Sequence, residues 1–473
     1  MAYTTIDDPK QYFEAITYSG DGNSTQNITA NFQVDWSWIK HRGTTAAHTI
    51  QDSVRGFDLA KKLSSNENDQ ENDSGGATWE NYGGVTAATA TNFTVSRGSN
   101  TPYQTNASSA NYVAWNWLAG GSAPAITYSV KVVSDSGNKY RFDDFGTSAV
   151  TLDLQEGGTY TFDQSDSSNS GHPLRFYTAS DKSGGEYTTG VTTTGTAGSS
   201  GAKTVITVAA SAPTLYYQCS NHAGMGGQAN TNSTFGSSNF AGSIQSTVSA
   251  STTSGFSIVS YTGTGSAATF GHGLSSAPKV LIVKRRDSAV DWSVFHPGLG
   301  SNNYRIRLNS TDSYNDDTAY WNGTAPTSSV FSVGTDSSTN ASSGTYVCYA
   351  FAEKKGYSKF GSYTGNGSTD GTFVYTGFKP ALIIIKNTTS GHNWLMFDNK
   401  RDIDNPLSQL LMPNQNSAEQ TMGTSNPLFD FCSNGFKLRG SGTDGNESGS
   451  THIYMAFAES PFVNTNGIPT NAR

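Results

Sequence analysis

Apolar and polar positions alternate with a period of two through much of this chain, in short runs bounded by Gly, Asn, Asp and Ser. In Tyr349-Ala350-Phe351-Ala352 the large side chains fall on one face and the small ones on the other. Such runs read as strands with one face toward a core. Ala381-Leu382-Ile383-Ile384-Ile385, the longest apolar stretch considered, has the length of a strand and not of a membrane span. Tyr (23) and Phe (24) are plentiful while Leu, Glu and Lys are thin, which favours many strands joined by tight turns. The pattern therefore predicts an all-β fold.

The pattern also repeats. Tyr18-Ser19-Gly20-Asp21-Gly22 recurs as Tyr261-Thr262-Gly263-Thr264-Gly265 and as Tyr363-Thr364-Gly365-Asn366-Gly367. Each copy runs on into an apolar strand ending in a cation, at Lys40, Lys284 and Lys386. A Trp strand follows in the second and third copies, at Trp292 and Trp394. The first copy has His48-Thr49-Ile50-Gln51-Asp52 there and lacks the Trp. Each closes on an aromatic strand: Tyr112-Val113-Ala114-Trp115-Asn116-Trp117, Tyr346-Val347-Cys348-Tyr349-Ala350-Phe351 and Ile453-Tyr454-Met455-Ala456-Phe457. Repeats of this kind predict related modules. Here they are antiparallel, jelly-roll-like β-sandwiches in series over residues 1–120, 254–355 and 356–465, with one apolar face per strand. The joint between the second and third, Ala352-Glu353-Lys354-Lys355-Gly356-Tyr357, is too short for free rotation.

A different segment, residues 125–230, separates the first two copies. Ala119-Gly120-Gly121-Ser122-Ala123-Pro124-Ala125 precedes it, and a polar stretch over 228–254 follows. Gly/Ser-rich linkers are flexible, so this segment is expected to stand off the main axis. It carries the most distinctive chemistry of the chain. Cys219, His222 and Met225 lie within seven residues after an apolar run, and His172 waits upstream in Gly171-His172-Pro173. Two imidazoles, a thiolate and a weak axial thioether form a blue-copper ligand set, and soft ligands of this kind favour copper over zinc.

Other chemistry is sparse. The formal charge is −8, and no basic stripe interleaves with aromatics, so nucleic-acid binding is not expected. The first residues lack a signal-peptide pattern, which predicts a protein made and folded in a host cytoplasm, without membrane insertion. Cys219, Cys348 and Cys432 do not form a disulfide framework. Asp143-Asp144 and Asp316-Asp317 sit in turn-like context and read as solvated carboxylates, as Lys61-Lys62 reads as a solvated basic pair. No phosphate-binding loop or nucleophile elbow is present. The aromatic strands read as core, and the sharper possibility is a sugar-stacking platform near Tyr320-Trp321-Asn322.

Several stretches carry a resemblance. Tyr3-Thr4-Thr5-Ile6-Asp7-Asp8-Pro9, Trp36-Ser37-Trp38-Ile39-Lys40, Asp52-Ser53-Val54-Arg55-Gly56, the first closing strand, and the run from Tyr357-Ser358-Lys359-Phe360 into Tyr363 resemble virion proteins of tailed phages of marine bacteria. The resemblance covers the three repeats. It implies a structural or tail-fibre-like, non-enzymatic virion protein that assembles with itself, as a trimer if fibre-like, and with other virion proteins. Separately, residues 126–227 resemble a cupredoxin, a Greek-key sandwich. Carried over by position, His172, Cys219, His222 and Met225 would be the metal ligands. Plastocyanin-like proteins space the second His and Met by four residues, whereas only Ala223 and Gly224 intervene here.

The expected function is thus assembly and display in a virion, as a fibre or appendage contacting the host surface, with host glycan as a possible partner. The alternatives are a copper electron-transfer protein and a glycan-degrading tailspike.

Overall fold

The closing strand lies inside the main sheet of each repeat. In the first repeat Asn111–Trp117 pairs antiparallel with the opening strand Phe13–Ser19 on one side and with Trp36–His41 on the other, and Thr49–Asp52 follows. The second repeat has the same order: Phe256–Thr262, Thr345–Phe351, Val280–Arg285, Ser293–Phe295. The third has Ser358–Thr364, Thr451–Pro461, Phe378–Asn387, Trp394–Asp398. This computed structural model describes residues 3–73, 78–232, 234–389, 391–423 and 425–471. Among them the α-helices number three, each four residues long. No helix is long and apolar enough to cross a membrane.

Each main sheet is buried on both faces. One face packs against a small second sheet of the same repeat. That sheet comprises Thr25–Thr29, Asn92–Ser96 and Gly84–Ala88 in the first repeat. In the second it is Ala268–Gly271 with Val330–Val333. In the third it is Phe373–Tyr375, Gly435–Leu438 and Phe429–Cys432. The other faces of the three main sheets meet one another in a single central core. The alternation along the closing strand decides which residue goes where. Val347, Tyr349 and Phe351 enter the central core, while Tyr346, Cys348 and Ala350 enter the core of their own repeat. The modules are therefore sandwiches, as expected, but they are joined around a common centre and not strung out in series.

The centre has pseudo-threefold symmetry. Trp117, Phe351 and Phe457 occupy equivalent closing-strand positions, since each faces the residue four before the strand-end lysine of its neighbour strand (Trp36, Val280, Leu382). Their rings form a triangle with centroid separations of 6.4, 5.4 and 5.7 Å. Phe13, Trp36, Phe256 and Tyr349 stack around it, with Trp36 4.4 Å from both Trp117 and Tyr349. A buried aromatic side chain contributes about 1.5–3 kcal/mol by leaving water, so this cluster is a major share of the fold's stability.

Directional hydrogen bonds lock each repeat to the next. Trp292 of the second repeat donates its indole N–H to Ser64 O of the first, and Trp394 of the third donates to Arg307 O of the second. His48 completes the ring. Its Nδ1 accepts from Trp38 Nε1, which leaves the proton on Nε2, 3.1 Å from Met412 O of the third repeat. The backbone N–H groups of His48, Trp292 and Trp394 each donate to an Asn side chain of their own repeat, Asn66, Asn309 and Asn414, two residues beyond the carbonyl (Ser64, Arg307, Met412) which that repeat offers to its neighbour. The first repeat thus lacks the Trp but keeps its bond, with imidazole in place of indole. Burial and the nearby Lys40 hold His48 well below the ordinary histidine range, so it stays neutral.

Charges reinforce two of the three boundaries. Asp52, Arg55 and Glu71 of the first repeat meet Tyr349 and Arg286 of the second. Asp398, Arg401 and Glu419 of the third meet Trp115 and Arg42 of the first in the same arrangement. At the remaining boundary His296 lies 3.1 Å from Tyr454 O. The lysines that end the apolar strands are buried too. Lys284 donates to Asn68 O and Lys386 to Thr311 O, each across a boundary, while Lys40 donates to His41 O. Desolvation pulls Lys40 and Lys284 down to about 7 and Lys386 to about 8. Lys62, expected on a solvated face, is fully buried, with Nζ 2.6 Å from both Gly83 O and Gln104 Oε1.

The insert is a separate sandwich with its own core. A five-stranded sheet (Val191–Thr194, Lys203–Thr207, Thr159–Asp163, Ala125–Ser134, Asn138–Phe142) faces a four-stranded one (Leu152–Gln155, Gln228–Asn232, Leu215–Cys219, Leu174–Tyr177). Two of its strand pairs are parallel. The expected flexible tethers are ordered. Gln228–Asn232 belongs to the insert, while Ser237–Asn239 and Ser246–Ser251 extend the main sheet of the second repeat. Tyr128 Oη donates to Ser238 O, and Thr247 Oγ1 donates to Asp153 across the join. The leading linker is held by Asp35, whose Oδ2 accepts from Ala119 N and Gly121 N. Small Ser and Thr side chains, several fully buried here, let these strands approach closely where a polarity reading sees only a linker.

Two outcomes follow. Residues 254–355 expressed alone should not fold, because Phe256, Ile258, Ile282 and Tyr349 would lose the central core; far-UV circular dichroism and amide dispersion by NMR check this. Asp35 is buried, and desolvation raises its carboxyl to about 7. A carboxyl raised on folding binds its proton more tightly in the folded state, so ionising it costs stability progressively from its unfolded range near pH 4 up to about 7. Asp35→Asn keeps an acceptor for the linker and removes that loss. Urea denaturation at pH 5 and pH 8 should show the wild type falling relative to the variant by up to about 3 kcal/mol.

Candidate metal centre

In the strand Leu215–Cys219, Leu215, Tyr217 and Cys219 are fully buried in the core of the insert, and Gln218 between the last two is buried as well. Cys219 is its last residue and pairs with Leu174, two residues beyond His172. This register brings the Gly171-His172-Pro173 turn alongside the Cys219-to-Met225 loop at one end of the sandwich. Ser220 N donates to Pro173 O, and Asn221 Nδ2 donates to Gly171 O, so the two loops are tied by main-chain contacts.

The three predicted N/S ligands converge. Cys219 Sγ is 3.8 Å from His172 Nδ1 and 3.5 Å from His222 Nδ1, and all three donor atoms lie within 4.8 Å of one another. Two donors each about 2.0–2.3 Å from one ion and roughly 110° apart at it are separated by ~3.5 Å. The spacing is therefore that of ligands sharing an ion, with both imidazoles presenting the same ring nitrogen. Cys219 is buried, His172 partly buried and His222 exposed, so the thiol is sealed and one imidazole edge faces solvent. Burial and the neighbouring His222 lower the His172 pKa, which favours the neutral, ligating form.

Met225 lies on the inner side of the short loop, 2% exposed and in the same core as Cys219. Two features bend the chain back within so few residues. Gly224 takes φ +73°, and Gln218 Oε1 accepts from both Met225 N and Gly226 N. A side chain at Gly226 would strike Tyr217 O, with its Cβ 1.6 Å away. Sequence reading did not single out Gln218; the only signal was its position in the strand directly before Cys219. Nor did it single out Tyr140 and Gln164, which both donate to His172 O and fix that turn, or Lys182, whose Nζ donates to Cys219 O and Ser220 O.

The other candidates do not gather into a site. Asp143 accepts from Ser129, Asp144 pairs with Lys131, and Asp317 caps the helix Thr318–Trp321 through Ala319 N. Tyr320 and Trp321 are buried, so they offer no exposed stacking platform. The cysteines are free thiols.

Fold and site together define an all-β protein of three sandwich repeats around one core, with a further β-sandwich bearing a Cys–His–His cluster inserted between the first and second. The chain belongs to the family described as "Domain of unknown function (DUF7483)", which matches residues 8–143 and 226–461. The match covers the three repeats and, of the insert, its strands Ala125–Ser134, Asn138–Phe142 and Gln228–Asn232. The unmatched interval, 144–225, contains His172, Cys219, His222 and Met225. No curated protein matches the chain.

Proposed function

We propose that this chain is a non-enzymatic structural subunit of a phage particle, a fibre or appendage component that serves assembly and attachment to the host surface. The observation that carries this reading is where the buried polar groups go. Asp52, Arg55, Arg401, His48, His296, Lys284 and Lys386 are spent on joining repeats to one another, and the candidate carboxylates serve turns and caps. An enzyme of this size would be expected to converge some of these groups on a cleft. The phage assignment rests on the resemblance of the repeats to virion proteins. The threefold arrangement within one chain supports a head that closes its own core; a trimer, if formed, would add copies of a finished unit. Labelled antibody against this chain should decorate purified particles at one fixed location, and the same antibody should lower host adsorption. Decoration without any effect on adsorption would restrict the role to assembly, and absence from particles would end the reading.

A second reading concerns the insert, and the convergence of His172, Cys219 and His222 favours it. We infer that these residues hold a soft metal ion, copper in the first instance, with Met225 as the axial donor. A bound copper–thiolate pair would supply either one-electron redox chemistry or a stabilising cross-link between the two loops. Adding Cu(II) should produce an intense visible absorption at one equivalent. Cys219→Ser should abolish it, and Met225→Leu should keep it with a shifted maximum. Metal binding to the folded state should also raise the melting temperature of the wild type but not of Cys219→Ser.

A further inference from the structure

Three arginines are buried among the described residues: Arg55, Arg305 and Arg401. Arg55 meets Asp52 and Glu71, and Arg401 meets Asp398 and Glu419. Arg305 is also buried, 3% exposed, yet among the described residues no carboxylate lies within ion-pair distance of it. Its Nε donates to Ser293 Oγ, its Nη1 lies 3.3 Å from Tyr320 Oη, and its guanidinium sits over the Tyr320 ring at 4.5 Å. Nη2 has no protein acceptor among the described residues. A buried cation is ordinarily paired, because removing it from water unpaired is costly. Desolvation and the neighbouring Arg307 accordingly hold Arg305 below the ordinary arginine range.

The pseudo-threefold shows that folding does not require a cation here. Ile306 pairs with Val294, and the equivalent bridges are Ile50 with Leu63 and Met396 with Leu411. One residue earlier, the positions equivalent to Arg305 are Lys62 in the first repeat and Leu410 in the third. Leu410 is buried and apolar. Lys62 is sealed against Gly83 O and Gln104 Oε1 beside the Trp79 ring. Arg305 alone of the three opens onto a cleft, of about 220 Å³, lined by Arg305, Arg307, Asp312, Ser313 and Asn315. Arg307 is met by Asp291 and Asp312, so its charge is satisfied within the protein.

We propose that this cleft is a binding site for a single oxyanion group, a carboxylate, sulfate or phosphate, held by the free edge of the Arg305 guanidinium. Its volume of about 220 Å³ is ample for one such group. Arginine's fixed fork matches the paired oxygens of an oxyanion. The group can arrive as a free ion or as an acidic substituent on a polysaccharide, and the exposed Ser313 and Asn315 at the mouth leave room for either. The site is independent of the insert and of the phage reading.

The test is isothermal titration of the full chain with inorganic phosphate, with sulfate, and with a uronate oligosaccharide beside its neutral counterpart. Binding should be seen with at least one anion and be at least tenfold weaker with the neutral sugar. Arg305→Leu, which copies the third repeat, should keep the fold and lose the binding at least tenfold. Asn315→Asp, on the exposed rim, should weaken it similarly without changing the melting temperature, and Asp312→Asn should tighten it. A stronger response to the uronate oligosaccharide than to free anions would assign the site to a polysaccharide; the reverse would assign it to a free ion. No binding of any anion at 10-fold millimolar excess, or equal binding by wild type and both Arg305→Leu and Asn315→Asp, overturns the proposal.

Discussion

The contact on which this structure depends is the triangle of Trp117, Phe351 and Phe457. Each comes from the closing strand of a different repeat, and each lies on a strand whose alternate residues fill the repeat's own outer core. A strand apolar on both faces cannot be satisfied by a single two-sheet sandwich, which covers only one of them. The second face needs another surface of the same kind, and two copies of the repeat supply it. The hydrophobic effect sets the distance between repeats, but it has no direction. Orientation comes from the ring of indole and imidazole N–H groups reaching the next repeat's carbonyls, and from the Asp–Arg–Glu groups at two of the boundaries. An unmet polar group at these positions would be costly in so dry an interface, so each bond also selects against wrong registers.

Much of this was legible in the sequence. The Tyr-x-Gly-x-Gly turn marks each opening strand because the chain needs its glycines there: a Cβ at Gly20, Gly263 or Gly365 would lie 2.2–2.4 Å from a carbonyl oxygen. The aromatic closing strands announced themselves by their alternation. The arrangement of repeats was not legible, because apolar alternation says that a face is buried and not what buries it. Trp115-Asn116-Trp117 reads equally well against a local second sheet or a distant repeat. The role of His48 was hidden for a related reason. It matches the tryptophans in what it donates and not in residue type, and the bond appears only once Met412 O is beside it. Lys62 looked solvated because a lysine pair in a polar stretch usually is, while its burial depends on Gly83 and Gln104 arriving from later in the chain.

The candidate metal centre shows the opposite balance. Cysteine and histidine at close spacing are scarce signals, so the Cys–His–His cluster could be anticipated before the strands around it. What sequence could not give was the support: Gln218 turning the loop toward Met225, Tyr140 and Gln164 on the His172 carbonyl, and the register of Cys219 against Leu174. These are ordinary residues made specific by position. The family match has the same division, covering the repeats and leaving out the interval that carries the ligands. The scaffold is shared property of the family, and the Cys–His–His loops are an addition seated on it.

The one-way sense of the cross-repeat bonds has a consequence for how many units such a molecule can contain. His48 reaches the third repeat, Trp292 the first and Trp394 the second, so every unit gives to one companion and receives from the other. Remove one member and the survivors are left with an unanswered donor at one edge and an idle carbonyl at the other. Add a fourth, and the aromatic hub must open a hole that no side chain present is large enough to fill. The count of three is therefore written into the geometry of the join, and change by duplication or loss would be steered away from the hub and toward excursions such as the ligand-bearing insert.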